Sequence, residues 1–153
     1  MSGQNNKTTT NIFTIGFAKK CACEFFTKLM DAGIKTVIDV RLNNASQLAG
    51  FTKKRDIEYF LKEIGNIDYL HRPELAPTKN ILDTYKKKEI DWGEYEFQFK
   101  QLMTKRQIEN LVTPEEINNA CLLCSEPIPE KCHRRLVAEY LRNHWDDILI
   151  THL

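Results

Sequence analysis

Apolar residues along this chain gather into short runs that alternate with stretches carrying the 3.6-residue helical period. Asn11-Ile-Phe-Thr-Ile-Gly-Phe17 is an apolar run containing a glycine near its end, and it predicts a first strand. Ala22, Phe25, Phe26 and Leu29 then stand at i, i+3, i+4 and i+7, one face of a helix, with Gly33 at the C′ position where positive φ is needed. Ile34 to Val40 predicts a second strand, and Arg41 to Phe51, with its Asn, Ser and Gly, a loop. Thr52 is placed to cap a second helix in which Ile57, Phe60, Leu61 and Ile64 share a face as far as Gly65. Ile67 to His71 predicts a third strand.

Beyond it, Leu75 to Asn119 is polar and aromatic. Trp92, Tyr95, Phe99 and Leu102 keep helical spacing there, whereas Lys86-Lys-Lys88 belongs to no apolar face, so one or two helices are expected. Thr113-Pro-Glu-Glu116 has the form of a capping box with proline at the first helical position, a short turn before a fourth strand at Ala120 to Cys124. A last helix is expected from about Cys132 to His144, and a terminal strand from Asp147 to His152. This βαβα alternation predicts an α/β fold: a three-layer αβα arrangement on a mainly parallel sheet of about five strands, Rossmann-like or flavodoxin-like, with a helical insertion between strands three and four.

At 153 residues the chain has the length of one domain able to bury a core. The expectation is a tail over residues 1–10 and a single domain over 11–153. A formal net charge of +1 gives no global field to attract nucleic acid or a membrane, so any anion site has to be local. Five cysteines, no apolar run of membrane-spanning length and a polar opening from Met1 to Thr10 suggest a reduced cytoplasmic protein with no membrane partner.

Against that neutral background, Cys121 to Leu136 concentrates thiols, a carboxylate, an imidazole and guanidiniums between strand four and the last helix. In a parallel α/β sheet that mouth is where ligands bind, which makes Cys124, Glu126, Cys132, His133 and Arg134 site candidates. Helical geometry turns His133 toward the sheet, lets Arg134 flank the strand mouth and sends Arg135 further out. Cys132, in the first helical turn beside His and Arg, has a setting that lowers a thiol pKa. Cys124 falls on the same side as Glu126, opposite Ser125. Zinc is not expected: Cys121 and Cys124 face opposite sides of a strand, and Cys132 and His133 are adjacent on a helix rather than four apart. Neither Cys124 nor Cys132 has an arginine six residues on, as a cysteine phosphatase loop requires. No cofactor is indicated.

Asp39-Val-Arg41 ends the second strand with a second charged pair, in which Asp39 can orient the planar fork of Arg41 toward a phosphate or carboxylate. Lys19-Lys20, Lys53-Lys-Arg55 and the Lys131, His133 to Arg135 group all fall at helix starts, the wrong end of the dipole unless an anion is present. A parallel sheet would gather them on one edge as a positive rim.

Thr14-Ile-Gly16, Asp39-Val-Arg41, Cys124-Ser-Glu126 and Cys132-His-Arg134, in that order, resemble the defining motifs of the domain of unknown function 488 family, and Ser46, Phe51, Tyr69, Leu75 and Tyr95 also fit. The resemblance covers nearly the whole chain from Ile12, and its most specific part is the last motif. It implies a compact α/β domain with the motifs at one edge, and no established reaction. Two places depart from the family pattern: Phe17-Ala18 replaces the frequent His-Ser, and Ala76-Pro77 replaces Gly-Gly.

Three functions fit these residues. The first is an enzyme acting on an anionic, phosphate-bearing substrate such as a nucleotide or nucleic-acid component. Arg41, Arg134, Asp39 and Ser46 would hold the anion, Glu126 or His133 would serve as general acid/base, and Cys124 or Cys132 as nucleophile. The second is a regulatory module binding an anion or nucleic acid without turnover, favoured by the replaced His-Ser. The third is a rhodanese-like sulfur-transfer or thiol-redox protein, suggested by Val37 to Arg41 but lacking that family's active-site loop.

Overall fold

A computed structural model describes residues 8–44 and 50–153. Its strands are β1 (Thr10–Gly16), β2 (Thr36–Asp39), β3 (Asp68–His71), β4 (Ala120–Cys124) and β5 (Ile148–His152). They form one sheet in the order β3-β2-β4-β1-β5, with every neighbouring pair parallel. Six α-helices lie among the described residues: α1 (Ala22–Asp31), α2 (Lys54–Gly65), α3 (Lys79–Lys86), α4 (Trp92–Arg106), α5 (Pro114–Ile117) and α6 (His133–His144). The architecture is the three-layer α/β arrangement that the alternation predicts. Its strand order is its own, neither the 3-2-1-4-5-6 of a classic Rossmann sheet nor the 2-1-3-4-5 of flavodoxin.

The layers follow from the two-residue period of buried strands. In β4, Ala120, Leu122 and Cys124 face a cluster built with Tyr95, Phe99 and Met103 of α4 and Leu136, Val137 and Leu141 of α6. Cys121 and Leu123 face the opposite cluster, with Phe25, Phe26 and Leu29 of α1 and Ile57 and Leu61 of α2. All five β4 residues are buried, because helices cover both faces. Cys121 is therefore a core residue turned away from Cys124, as strand geometry requires. The helical insertion between β3 and β4 comprises α3, α4 and α5, the last capped by Thr113 Oγ1, which accepts from the Glu116 N–H at 3.1 Å.

Local signals hold at most helix ends and fail at one. Gly33 has φ +69° just beyond α1, and Asn66, with φ 51°, ends α2 in the same left-handed way. Thr52, however, does not cap α2. The N-cap is Lys53, without a side-chain bond, and Thr52 closes a short 3-10 turn (Gly50–Thr52) whose carbonyl is claimed by Arg41. A tertiary partner thus outcompetes the local cap. The tail expected over residues 1–10 lies outside the described residues as far as position 7, and β1 already begins at Thr10. No helix among the described residues is long and apolar enough to cross a membrane.

Candidate functional site

The strand ends at the carboxyl edge of the sheet bring together residues far apart in sequence. Cys124 is the last residue of β4, and Cys132, the N-cap of α6, has extended backbone (φ −138°, ψ 137°). A cap residue is not bound to the 100° step of a helix. Cys132 and His133, though adjacent, consequently both turn toward Cys124, and their donor atoms and the Cys124 sulfur all lie within 4.8 Å of one another. The expectation that adjacent residues at a helix start cannot converge is corrected here: Cys132 is not yet in the helix.

His133 is fixed from behind. Its Nε2 lies 2.6 Å from the Val40 carbonyl oxygen, which can only accept, so Nε2 carries a proton and Nδ1 faces Cys124 Sγ at 3.5 Å. The Phe99 ring meets the imidazole edge-on, with centroids 5.9 Å apart. The Cys132 thiol hydrogen-bonds to Cys124 and, against the opposing effect of burial, lowers the Cys124 pKa well below the usual thiol range; the His133 charge and the Glu126 backbone N–H act in the same sense. Burial and the Cys124 charge push Cys132 the other way. Burial by itself would lower the His133 pKa, but the negative charge and hydrogen bond of Cys124 leave it raised. Cys124 is thus pushed toward thiolate and Cys132 away from it, because two buried thiols in contact do not readily ionise together.

Arg134 is fully buried. Its Nε donates to Thr14 Oγ1 at 3.2 Å and its Nη1 to the Glu126 carbonyl at 2.7 Å. Thr14 Oγ1 also meets His152 Nδ1 at 2.6 Å. Gly16 completes this knot, since a Cβ there would sit 1.5 Å from the Glu126 carbonyl oxygen. Arg134 thus ties β1 to the loop after β4 and is not among the residues lining the neighbouring cleft. Arg135 braces the same loop, donating to the Pro129 and Glu130 carbonyls and pairing with Glu139.

Asp39 and Arg41 form a buried two-point pair, Nε to Oδ1 at 2.9 Å and Nη2 to Oδ2 at 2.8 Å. Tyr69 donates its hydroxyl to Asp39 Oδ2 at 2.6 Å, and Arg41 Nη2 also reaches the Thr52 carbonyl. The guanidinium lies over the Phe17 ring at 5.2 Å, a cation–π contact. His71 Nε2 bonds the Arg41 carbonyl at 2.8 Å. One atom is left over: Arg41 Nη1 is buried and has no hydrogen-bond partner among the described residues.

These groups surround a cleft of about 380 Å³. Buried Cys124, Cys132 and His133 form its floor, and exposed Glu126, Lys86 and Lys131 its rim. Phe17 and Arg41 make one wall, and Tyr85, Trp92 and Tyr95 another, with Trp92 and Tyr95 stacked at 4.8 Å and 21°. Of the expected anion ligands, Arg41 reaches the cleft and Asp39 orients it, whereas Ser46 lies outside the described residues. Lys19, Lys20 and Lys53 to Arg55 do not line the cleft, so the positive rim is narrower here than the helix starts suggest.

Helical spacing marks Trp92 and Tyr95 as one face but not as a cleft wall: Tyr95 is in the core, and Tyr85 and Trp92, half-buried against it, also line the cleft. The half-polar character of the insertion is the available signal. Nothing in the sequence marks the Val40 carbonyl, because every residue has one.

A family model described as a domain of unknown function, DUF488, matches residues 22–141. The matched span includes Asp39 to Arg41 and the whole of Cys121 to Leu136, and begins after Thr14 to Gly16. No curated protein and no solved structure matches the chain.

Proposed function

This chain belongs to the DUF488 family, and we propose that it is an enzyme acting on an anionic, phosphate-bearing substrate with a flat ring, of the nucleotide class. One observation carries the reading: the Cys124–His133 pair, Sγ to Nδ1 at 3.5 Å, lines the same cleft as Arg41, whose buried Nη1 has no hydrogen-bond partner among the described residues. Arg72 Nε and Arg134 Nη2 share that state but belong to residues that do not line the cleft; at Arg41 the cleft favours a ligand that supplies the missing acceptor. Lys131 adds charge at the rim, and Trp92 offers a face on which a base can stack.

The nucleophile is then Cys124, with His133 as its base and the Val40 carbonyl as the group that orients the base. Sγ attacks an electrophilic atom of the substrate, the bond to the leaving group breaks, and His133 Nδ1–H protonates that group. Water, giving its proton to Glu126, releases the covalent intermediate and returns the electron pair to sulfur. The net reaction is hydrolysis. Asp39 acts through Arg41 as a positioning residue, and Arg134 through the loop it fixes.

Trp92 fluorescence, titrated with nucleoside phosphates and inorganic phosphate, tests the binding half; Lys131→Ala is expected to weaken affinity about tenfold, roughly one charge-assisted contact. Turnover of bound nucleotides is expected to vanish in Cys124→Ala, with an acid-quenched adduct on Cys124 in the wild type. Binding without any turnover would replace the enzyme by an anion-binding module, and turnover that survives Cys124→Ala would sink the nucleophile.

A further inference from the structure

We propose that Cys124, Cys132 and His133 form a binding site for a thiophilic divalent cation of the zinc class, with its fourth coordination position open to the cleft. The site rests on the cluster's geometry alone; only its regulatory consequence depends on the function proposed above.

The geometry is that of a set of ligands facing a common centre. Bond lengths of about 2.3 Å to thiolate and about 2.0–2.1 Å to imidazole, at a tetrahedral angle, put the two donor atoms about 3.6 Å apart. Cys124 Sγ and His133 Nδ1 are 3.5 Å apart, and Cys132 Sγ lies within 4.8 Å of both. The imidazole is already turned the way a metal needs. Nε2 donates to the Val40 carbonyl, which aims Nδ1 at the cluster so that a cation displacing its proton meets the lone pair, and a backbone carbonyl behind a ligating histidine is the usual outer-shell arrangement. The ligands also sit on well-held backbone: Cys124 ends a central strand buried on both faces, and the loop between it and Cys132 is fastened by Arg134 and Arg135.

Charge and chemistry agree with that geometry. Two thiolates and one neutral imidazole cancel a 2+ ion, so the buried floor would carry no net charge. Two sulfurs among three donors select zinc-class cations over magnesium or calcium. Binding replaces the protons that Cys132, Cys124 and His133 hold among them, releasing those protons to solvent. Two cysteines and a histidine with an open fourth position is a donor set suited to a metal that meets a ligand or water from the cleft.

A cation there engages the sulfur that the proposed reaction uses. Loading and nucleophilic attack by Cys124 exclude each other, which makes the cation a reversible cap on the activity.

Cobalt(II) titrated into the metal-free, reduced protein gives a direct readout. The expected result is an intense near-ultraviolet thiolate-to-cobalt band saturating at one equivalent, bleached by one equivalent of zinc. Cys132→Ser is expected to weaken cobalt affinity at least tenfold, whereas Cys23→Ser, which alters an exposed thiol outside the cluster, leaves it unchanged. X-ray absorption on the zinc-loaded wild type gives a second measurement that needs no variant, with two sulfur and one imidazole nitrogen neighbours expected. Absence of the cobalt band, equal affinity in Cys132→Ser, or an all-oxygen zinc shell overturns the site. Nucleotide turnover by the metal-free protein is scored separately: lost turnover with the cobalt band intact removes the enzymatic reading and leaves the cation site standing, and the converse outcome removes the site alone.

Discussion

Gly16 and Glu126 touch where a side chain would have to be: a Cβ on Gly16 would fall 1.5 Å from the Glu126 carbonyl oxygen, which itself accepts from Arg134 Nη1 at 2.7 Å. The end of β1 and the loop after β4 are therefore packed backbone to backbone, with the buried guanidinium as their common anchor.

Gly16→Ala is accordingly expected to destabilise the fold by about 3 kcal/mol, the upper range for overpacking, since the obstacle is backbone and cannot rotate away. Urea denaturation measures it. Gly93→Ala, where the nearest atom is Asp91 Oδ1 at 3.4 Å, serves as the control and is expected to change stability by less than about 1 kcal/mol. Equal effects at the two positions would refute the close approach.

Thr14→Val keeps shape and removes the hydroxyl that both Arg134 Nε and His152 Nδ1 use. A buried guanidinium N–H left without an acceptor costs about 2 kcal/mol. Thr14→Ser is expected to recover most of that loss in the same denaturation series, which a purely steric role for the methyl group would not allow.

Asp39→Asn removes the charge against which Arg41 is buried. Breaking such a pair from one side costs about 3 kcal/mol, because the remaining charge is uncompensated. It also releases the guanidinium from its two-point hold, so phosphate binding followed by Trp92 fluorescence is expected to weaken as well. Unchanged phosphate affinity in a folded Asp39→Asn protein would remove Arg41 from the anion site.

His152 gives a pH dependence of definite sign. Burial, with the nearby Arg134 charge, lowers its pKa below the ordinary 6.5. The folded protein therefore binds this proton less readily than the unfolded chain, and stability rises with pH through this window. The contribution is present in full above about 6.5 and is lost as pH falls toward the lower folded value. Thermal melting at pH 7.5 and pH 5 is expected to show a larger acid loss for the wild type than for His152→Gln; the reverse order would contradict the assignment.

Hydropathy alone laid out the layers. Alternating short apolar runs and helical faces specify a parallel sheet covered on both sides, because buried strands and amphipathic helices solve the same burial problem in only a few ways. Cys121 turned away from Cys124, the Gly33 helix end, the Thr113 cap and the helical insertion were legible for the same reason: each depends on neighbours within a few residues. Thr52 was not, since its carbonyl serves Arg41 from eleven residues away.

The site divides along the same line. Residue types and motif order pointed to Cys124, Glu126, Cys132, His133 and Arg41, because dense chemistry at strand ends is a local pattern. Which thiol is activated, where Arg134 spends its hydrogen bonds, and that Cys132 and His133 converge on Cys124 were decided only in three dimensions. Proton sharing, burial and the extended backbone of an N-cap depend on atoms that the chain brings together from β1, β2, β4 and α6, and no spacing along the sequence encodes those distances.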